Sequence, residues 1–447
     1  MDFMCRIKRA VAALGLALFL PFTASAQGLI RDAEIEYTLR KFCDPLFEAA
    51  GLTPSEVNLY IVLSDEVQAE VRGGQNMFVY TGLIMQSRTP EELKGVIAHE
   101  TGHIALHHNI TRQDAFRAGG DTSLITMGLG ALALFAGAPD AAMALFGSAQ
   151  QFGVLTIFKF TRAEEAAADL YGLDLLRKTG QSADGFVSFM ENFRYQELMR
   201  EGRRNPYFQS HPIWSDRIET ARNRAREISG EVRQQTPEEI EGLAMMKAKL
   251  VGFIGPPNRV LSRYPEADQS LAATYARAIA AYKAVDIKAA LSLTQELIEA
   301  EPTNPYFEEL KGQILFESGR TLESVEPHRR SVELAPQHAL LKINLARSLA
   351  ATNEGDAIKE AESLLIDALA LEPDNAFAWT YLADVHAKQG RIGDADLATA
   401  EAAYHVGNMS RAYVFSRRAR DKLTLNAPNG RRADDIMALS DPRNHRR

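Results

Sequence analysis

The chain has 447 residues, of which 46% are hydrophobic, 24% charged and 8% aromatic, with a formal net charge of −8. That length exceeds what one hydrophobic core supports, so two or three domains are expected. The acidic balance excludes the basic footprint of a nucleic-acid binder, and the composition is that of a globular chain.

Arg6, Lys8 and Arg9 precede an apolar run from Ala10 to Phe22 that is short for a membrane span, and Ala24-Ser25-Ala26 follows as a small-residue cleavage pattern. Residues 1–26 therefore read as a secretory signal peptide, and the mature chain is expected to start at Gln27. Cys5 leaves with it, so Cys43 alone remains and no intrachain disulfide is available despite export. Packed cores must supply the stability.

Ile30 to Ala50 has helical spacing, and Val57 to Leu63 alternates as a strand. Met77-Phe78-Val79-Tyr80 is a second short strand between Gly73-Gly74 and Gly82. Thr89-Pro90-Glu91-Glu92 spells a helix start: Thr89 caps, Pro90 takes the first helical position and Glu92 closes a capping box. That helix is expected to run to about His108.

Between 122 and 158 only Asp140 is charged, and the segment is rich in Gly and Ala. It reads as a buried or lid-like helical hairpin, with membrane-surface contact as the alternative. Thr161 and Glu164 form another capping box, opening a helix that stops near Gly180. Gly255-Pro256-Pro257 breaks the helical sequence and marks the domain boundary.

Beyond that break, Pro302, Pro336 and Pro373 stand 34 and 37 residues apart. Leu345-Ala346 then matches Leu382-Ala383, and Ala361, Leu365 and Ala368 recur once three extra residues near Asn353 to Asp356 are allowed. Small residues where paired helices cross, and a Pro ending each pair, resemble the tetratricopeptide repeat. The Arg-rich stretch from Ala427 reads as a disordered polar tail. The expected division is signal peptide 1–26, catalytic domain 27–255, repeat domain 256–426 and tail 427–447.

His99-Glu100-Thr101-Gly102-His103 lies inside the capped helix. The spacing puts both imidazoles one turn apart on one face, able to converge on a zinc ion, with Glu100 beside the open position as general base. A catalytic zinc needs a third protein ligand. His107 lies one turn too far along the axis. Glu165 is the better candidate, and Asp169, on the same helical face, can orient a ligand His from behind. The alanines between these two acids argue for a helix packed closely on another.

These elements together resemble the M48 family of gluzincin metallopeptidases. They are the signal peptide, the strand Asn76 to Gly82, the His99–His103 motif, the Arg162…Glu165…Asp169 element, His211-Pro212…Arg217 and the repeats. The resemblance covers nearly the whole mature chain. It implies an α+β gluzincin-type metalloprotease domain followed by an all-α tetratricopeptide-repeat domain. It also implies one zinc ion per chain on His99, His103 and Glu165, with Glu100 as base. A periplasmic role in outer-membrane-protein quality control follows, with repeats that recruit unfolded clients or the assembly machinery. Ala-Glu-Val-Arg at 69–72 departs from the more apolar approach usual in the family and leaves substrate preference open.

On this reading the strand at 76–81 holds an extended substrate by edge pairing. Arg217 is a candidate oxyanion stabiliser, with a structural ion pair as the alternative. His211 is either a loop or substrate-side group, or a gate that takes zinc's open position. The rival function is a non-proteolytic chaperone or scaffold with a structural zinc site, which zinc content and a cleavage assay separate.

Overall fold

A computed structural model describes residues 28–108, 162–199, 206–212, 214–228, 233–424 and 426–443. The leader, the uncharged segment 122–158 and the Thr161 cap lie outside these residues. Among the described residues no helix is long and apolar enough to cross a membrane.

Strands β1 (Gly28–Ile30), β2 (Asn58–Leu63), β3 (Ala69–Arg72) and β4 (Asn76–Tyr80) form one sheet in the order β1-β2-β4-β3. The β2–β4 pair is parallel and the two outer pairs are antiparallel. β2 and β4 occupy the stretches that alternation predicted. β3 was not expected as a strand because it is short and half charged. Gly73 and Gly74, both at positive φ (57° and 94°), turn it back onto β4. The consequence corrects the edge-pairing expectation: β4 is paired on both sides, and β3, like β1, is an edge strand among the described residues.

Helix α1 (Ala33–Ala49), capped by Asp32, covers the sheet, and α2 (Thr81–Gln86) continues directly from β4. Helix α3 (Pro90–Ala105) starts where its cap predicts, with Thr89 Oγ1 accepting from the Glu92 amide at 3.3 Å. The Glu92 carboxylate does not close a capping box on Thr89. It accepts from the Arg88 amide at 2.7 Å and pairs with the Arg88 guanidinium, an opposite charge within one turn. α3 is buried on nearly every face, so it is the central helix of the domain. Helix α4 (residues 162–178) ends before Gly180, which adopts φ 66°. It is followed by α5 (Asp184–Asn192), α6 (Pro206–Ser210), α7 (Ser215–Ile228) and α8 (Pro237–Ile254).

α8 ends at the Gly-Pro-Pro break, yet it has a foot in two cores. Leu243, Met246 and Leu250 pack with the sheet domain, while Met245, Ala248 and Val251 pack under the repeats. Between those faces Lys249 is buried, with Nζ 2.8 Å from Asp32, 3.3 Å from Glu34 and 3.8 Å from Glu309. Tyr275 donates to Glu34 at 2.8 Å.

After α9 (Pro257–Arg263) the chain is a run of helix pairs. These are α10 (Leu271–Lys283) with α11 (Ile287–Ala300), α12 (Pro305–Glu317) with α13 (Thr321–Leu334), and α14 (Ala339–Thr352) with α15 (Gly355–Leu371). Then come α16 (Ala376–Lys388) with α17 (Ile392–His405), and α18 (Met409–Arg420) with α19 (Pro428–Leu439). Pro302, Pro336 and Pro373 follow second helices, as the spacing predicts. The three extra residues lengthen a helix rather than a loop, since α13 has 14 residues and α15 has 17. Asn353, at φ 61°, makes the tight turn between α14 and α15.

The expected tail is corrected: α19 folds onto the last repeat. Ala433 and Ile436, three apart on one face, are buried against α17 and α18, and Arg432 pairs with Glu401 at 2.8 Å. Two apolar anchors in a polar segment suffice because a neighbouring helix pair supplies the rest of the core.

Candidate metal centre

His99 and His103 project from α3 with their Nε2 atoms 3.1 Å apart. Glu165, from α4, presents one oxygen 3.4 Å from His99 Nε2 and the other 3.5 Å from His103 Nε2. All three side chains are buried. α4 reaches this position because the helices touch through small residues. A Cβ on Gly102 would sit 3.0 Å from the Ala168 carbonyl oxygen, and one on Gly172 would sit 2.9 Å from the His99 amide. Of the three alanines between the acids, Ala168 is the one buried in that contact.

The remaining predicted residues surround this core. Asp169 Oδ1 lies 2.9 Å from His99 Nδ1. That carboxylate favours the proton on Nδ1, which leaves the lone pair of Nε2 to face inward. Arg217, on α7, donates from Nε and Nη2 to Asp169 at 2.7 and 2.8 Å, and from Nη1 to the Pro212 carbonyl at 2.7 Å. The same Nη1 stands 3.1 Å from Glu165. With its fork so engaged behind the cluster, Arg217 does not face the cleft as an oxyanion stabiliser. The ion-pair alternative matches its placement.

His211 is not a surface loop residue. It follows α6, its amide donates to the Tyr207 carbonyl at 2.7 Å, and its ring stacks on Tyr207 at 4.8 Å. Its Nδ1 is 3.2 Å from His99 Nε2 and 3.0 Å from each Glu165 oxygen, while Nε2 is 3.5 Å from Glu100 Oε1. One ligand atom from each of His99, His103, Glu165 and His211 lies within 4.8 Å of the others.

One residue was missed. α3 stops at Leu106, and His107 takes φ 55° and points to solvent. That turn folds His108 back, so that its Nδ1 lies 2.8 Å from His103 Nδ1. His103 can then donate from Nδ1 and aim Nε2 at the cluster. The adjacent pair His107-His108 at the helix end was the available signal, and the helix expected through His108 concealed it.

The donor set fits a metal. Imidazole lone pairs and a carboxylate converge with only about 3 Å between them, an arrangement of acceptors that needs a cation among them. Ligand atoms around tetrahedral zinc would stand about 3.3 Å apart, close to the separations found here. Against the cost of burial, the neighbouring His211 ring and the Arg217 guanidinium hold the Glu165 carboxyl well below its ordinary range. Arg217 and His99 likewise lower Asp169 against its burial. Both acids are therefore anionic at neutral pH. Glu100, His103 and His211 open onto a cleft of ≈ 530 Å³ whose other wall is the free edge strand β3 and the Gly73–Gln75 turn.

Comparison with known proteins matches the model of Peptidase family M48 to residues 31–225, the span that holds every residue of this cluster. The β-barrel assembly-enhancing protease of Escherichia coli (strain K12) is 23% identical over 414 residues, covering 91% of this chain and 83% of that protein. Metalloprotease LoiP of the same strain is 30% identical over 199 residues, covering 44% of this chain and 75% of LoiP. Among solved structures, YrrB, a TPR protein with an unusual peptide-binding site, shows 18% identity and a TM-score of 0.32. That overlap covers 39% of this chain and 91% of YrrB. The family model falls on the residues that carry the His–Glu cluster, and LoiP, itself a metalloprotease, is 30% identical over three quarters of its length: this chain belongs to peptidase family M48 and is a metalloprotease with a helical extension.

Proposed function

We propose that this protein is an exported zinc endopeptidase that cuts misfolded or stalled envelope proteins in the periplasm, with its repeats recruiting clients or the outer-membrane assembly machinery. The observation that carries the catalytic part is the convergence of His99, His103 and Glu165 beside Glu100 in a cleft bounded by a free strand edge. The division at Gly255 gives a catalytic unit over 27–255 and a recruiting unit beyond it. Export is supported by the leader pattern at 1–26, and the envelope role by the relative that is a β-barrel assembly-enhancing protease.

His99, His103 and Glu165 would hold the ion, which when bound supplies a Lewis acid for the scissile carbonyl. Glu100 takes the proton of the attacking water and returns it to the leaving amine. Asp169 and His108 fix the tautomers of the two ligand imidazoles. β3 aligns an extended backbone by strand addition, which reads main chain more than sequence. The expected result is one zinc per chain by elemental analysis and cleavage of casein that a chelator abolishes. Zinc retention without any cleavage would favour the chaperone or scaffold alternative.

His108→Ala is expected to weaken zinc binding by about 10- to 100-fold while leaving the fold intact, because His103 loses the partner that orients it. Competition with a chromophoric chelator measures this directly, and unchanged affinity would deny His108 the role.

His211, poised beside the ligands, acts in this reading as a gate that takes the ion's open position until a client or partner moves its loop. His211→Ala should then raise basal cleavage with zinc retained. A fall in activity with metal retained would assign His211 to substrate or transition-state binding instead.

A further inference from the structure

Where the sheet meets the repeats, a groove of ≈ 790 Å³ opens between β1, α8 and the first helices of three successive pairs, α12, α14 and α16. It shares no lining residue with the catalytic cleft. Its volume is in the range of sites that enclose a small ligand or short segment, about 300–1,000 Å³.

Two features say what it would take. The first is the strand edge. β1 ends the sheet, and its outer edge is unpaired among the described residues. Leu29, Ile30 and Arg31 all line the groove. Leu63 of β2 lines it too, so the groove lies across the end of the sheet and takes in that edge. Unpaired main-chain groups there invite another strand. Apolar side chains flank that edge, among them Leu29 at 57% exposure and Phe377 at 60%.

The second feature is charge. Arg31 is engaged by Glu36 at 2.7 Å and Glu372 at 2.9 Å, and Lys249 by Asp32 at 2.8 Å. The groove's acids, Asp32 and Glu309, both face Lys249. Arg347 is held differently. Its guanidinium lies over the Phe316 ring at 4.1 Å, and its carboxylate partner, Glu317, stands 3.6 Å away. It is the lining cation best placed to accept an incoming anion.

We propose that this groove captures the C-terminal end of an extended, apolar client segment, which adds as a strand to β1 and sets its terminal carboxylate on Arg347. Strand addition and a terminal carboxylate both read the backbone, which suits a site that must serve clients of different sequence. The inference rests on the reading of the protein as a protease of unfolded clients, but its test is a binding measurement that requires no cleavage.

The probe is a fluorescein-labelled nine-residue peptide of alternating Val and Thr ending in Phe, made with a free C-terminal carboxylate and as the amide. Anisotropy is read with the full mature chain, and peptide integrity is checked by mass spectrometry. The free acid is expected to bind about tenfold or more tightly than the amide, the increment of a charge-assisted hydrogen bond. Arg347→Gln should abolish that difference, and Phe377→Ser should weaken both forms. Zinc content and thermal melting should stay at wild-type level in both variants. Equal affinity for acid and amide in the wild type would overturn the proposal. So would a preference that survives Arg347→Gln, or absence of binding in a chain that still cleaves casein. Displacement of the peptide by laurate at lower concentrations than by unlabelled peptide would give the groove to a fatty acid instead.

Discussion

Glu100→Gln is expected to lower casein cleavage by at least about 10²–10⁴-fold, the range attributed to a positioned general base, with zinc content and thermal stability close to wild type. Glu100 is buried, projects from α3 beside both ligand imidazoles and lines the cleft between them and β3. The amide keeps the volume of the side chain but cannot take a proton from water. His99→Ala provides the contrast, because it should release zinc and activity together. Metal analysis and turnover measured on the same preparations separate the two outcomes. Full activity in Glu100→Gln would remove Glu100 as the base, and loss of zinc in that variant would show that it holds the ion.

Lys249→Met is expected to destabilise the chain by roughly 3–5 kcal/mol, because it leaves buried carboxylates without their counter-charge. The ammonium is the positive centre for Asp32, Glu34 and Glu309, which come from the start of α1 and from α12 on the repeat side. Methionine fills most of the volume, so the loss is electrostatic rather than a cavity. The pH dependence follows from the carboxyls. Burial pushes Glu309 up to about 7 and raises Glu34, with Lys249 opposing both shifts. A carboxyl whose folded pKa exceeds its unfolded value stabilises the fold most below the unfolded value, about 4.5, and that contribution is lost as pH rises through about 7. Removing Lys249 drives both carboxyls higher. The deficit of the variant should therefore be largest near pH ~8 and shrink toward pH ~5. Urea midpoints across that range test it, and a deficit independent of pH would mean that packing, not charge, dominates at position 249.

The same junction changes the meaning of the boundary at Gly255. The break is real in the helix pattern, since α8 ends there and α9 begins at Pro257. Cutting the chain at that point would bare Met245, Ala248 and Val251, which the repeats cover. Nothing in the composition of α8 distinguishes a helix buried on one side from a helix buried between two cores, because both are apolar on several faces.

Patterns confined to one element were legible. The His-Glu-Thr-Gly-His motif, its Thr89 cap, the alternation of β2 and β4, and the Pro periodicity of the repeats each depend on neighbours within a few residues along the chain. Spacing alone placed His99, Glu100 and His103 on one helix. The residues that complete the site depend on how distant elements cross. Glu165 reaches the imidazoles because Gly102 and Ala168 let α3 and α4 touch. His211 enters from a loop 112 positions after His99. Arg217 is engaged by Asp169 rather than facing the cleft, and His108 returns to the site through a left-handed turn at His107. Strand pairing likewise decided that β3, with its weak local signal, is an edge strand among the described residues and that β4 is interior. The sequence by itself determined which side chains can bind a metal and which segments coil or extend, because these follow from residue type and local period. The tertiary structure decided which of those side chains meet, because that depends on the depth and angle at which separate elements pack, set by contacts that no single stretch of the chain contains.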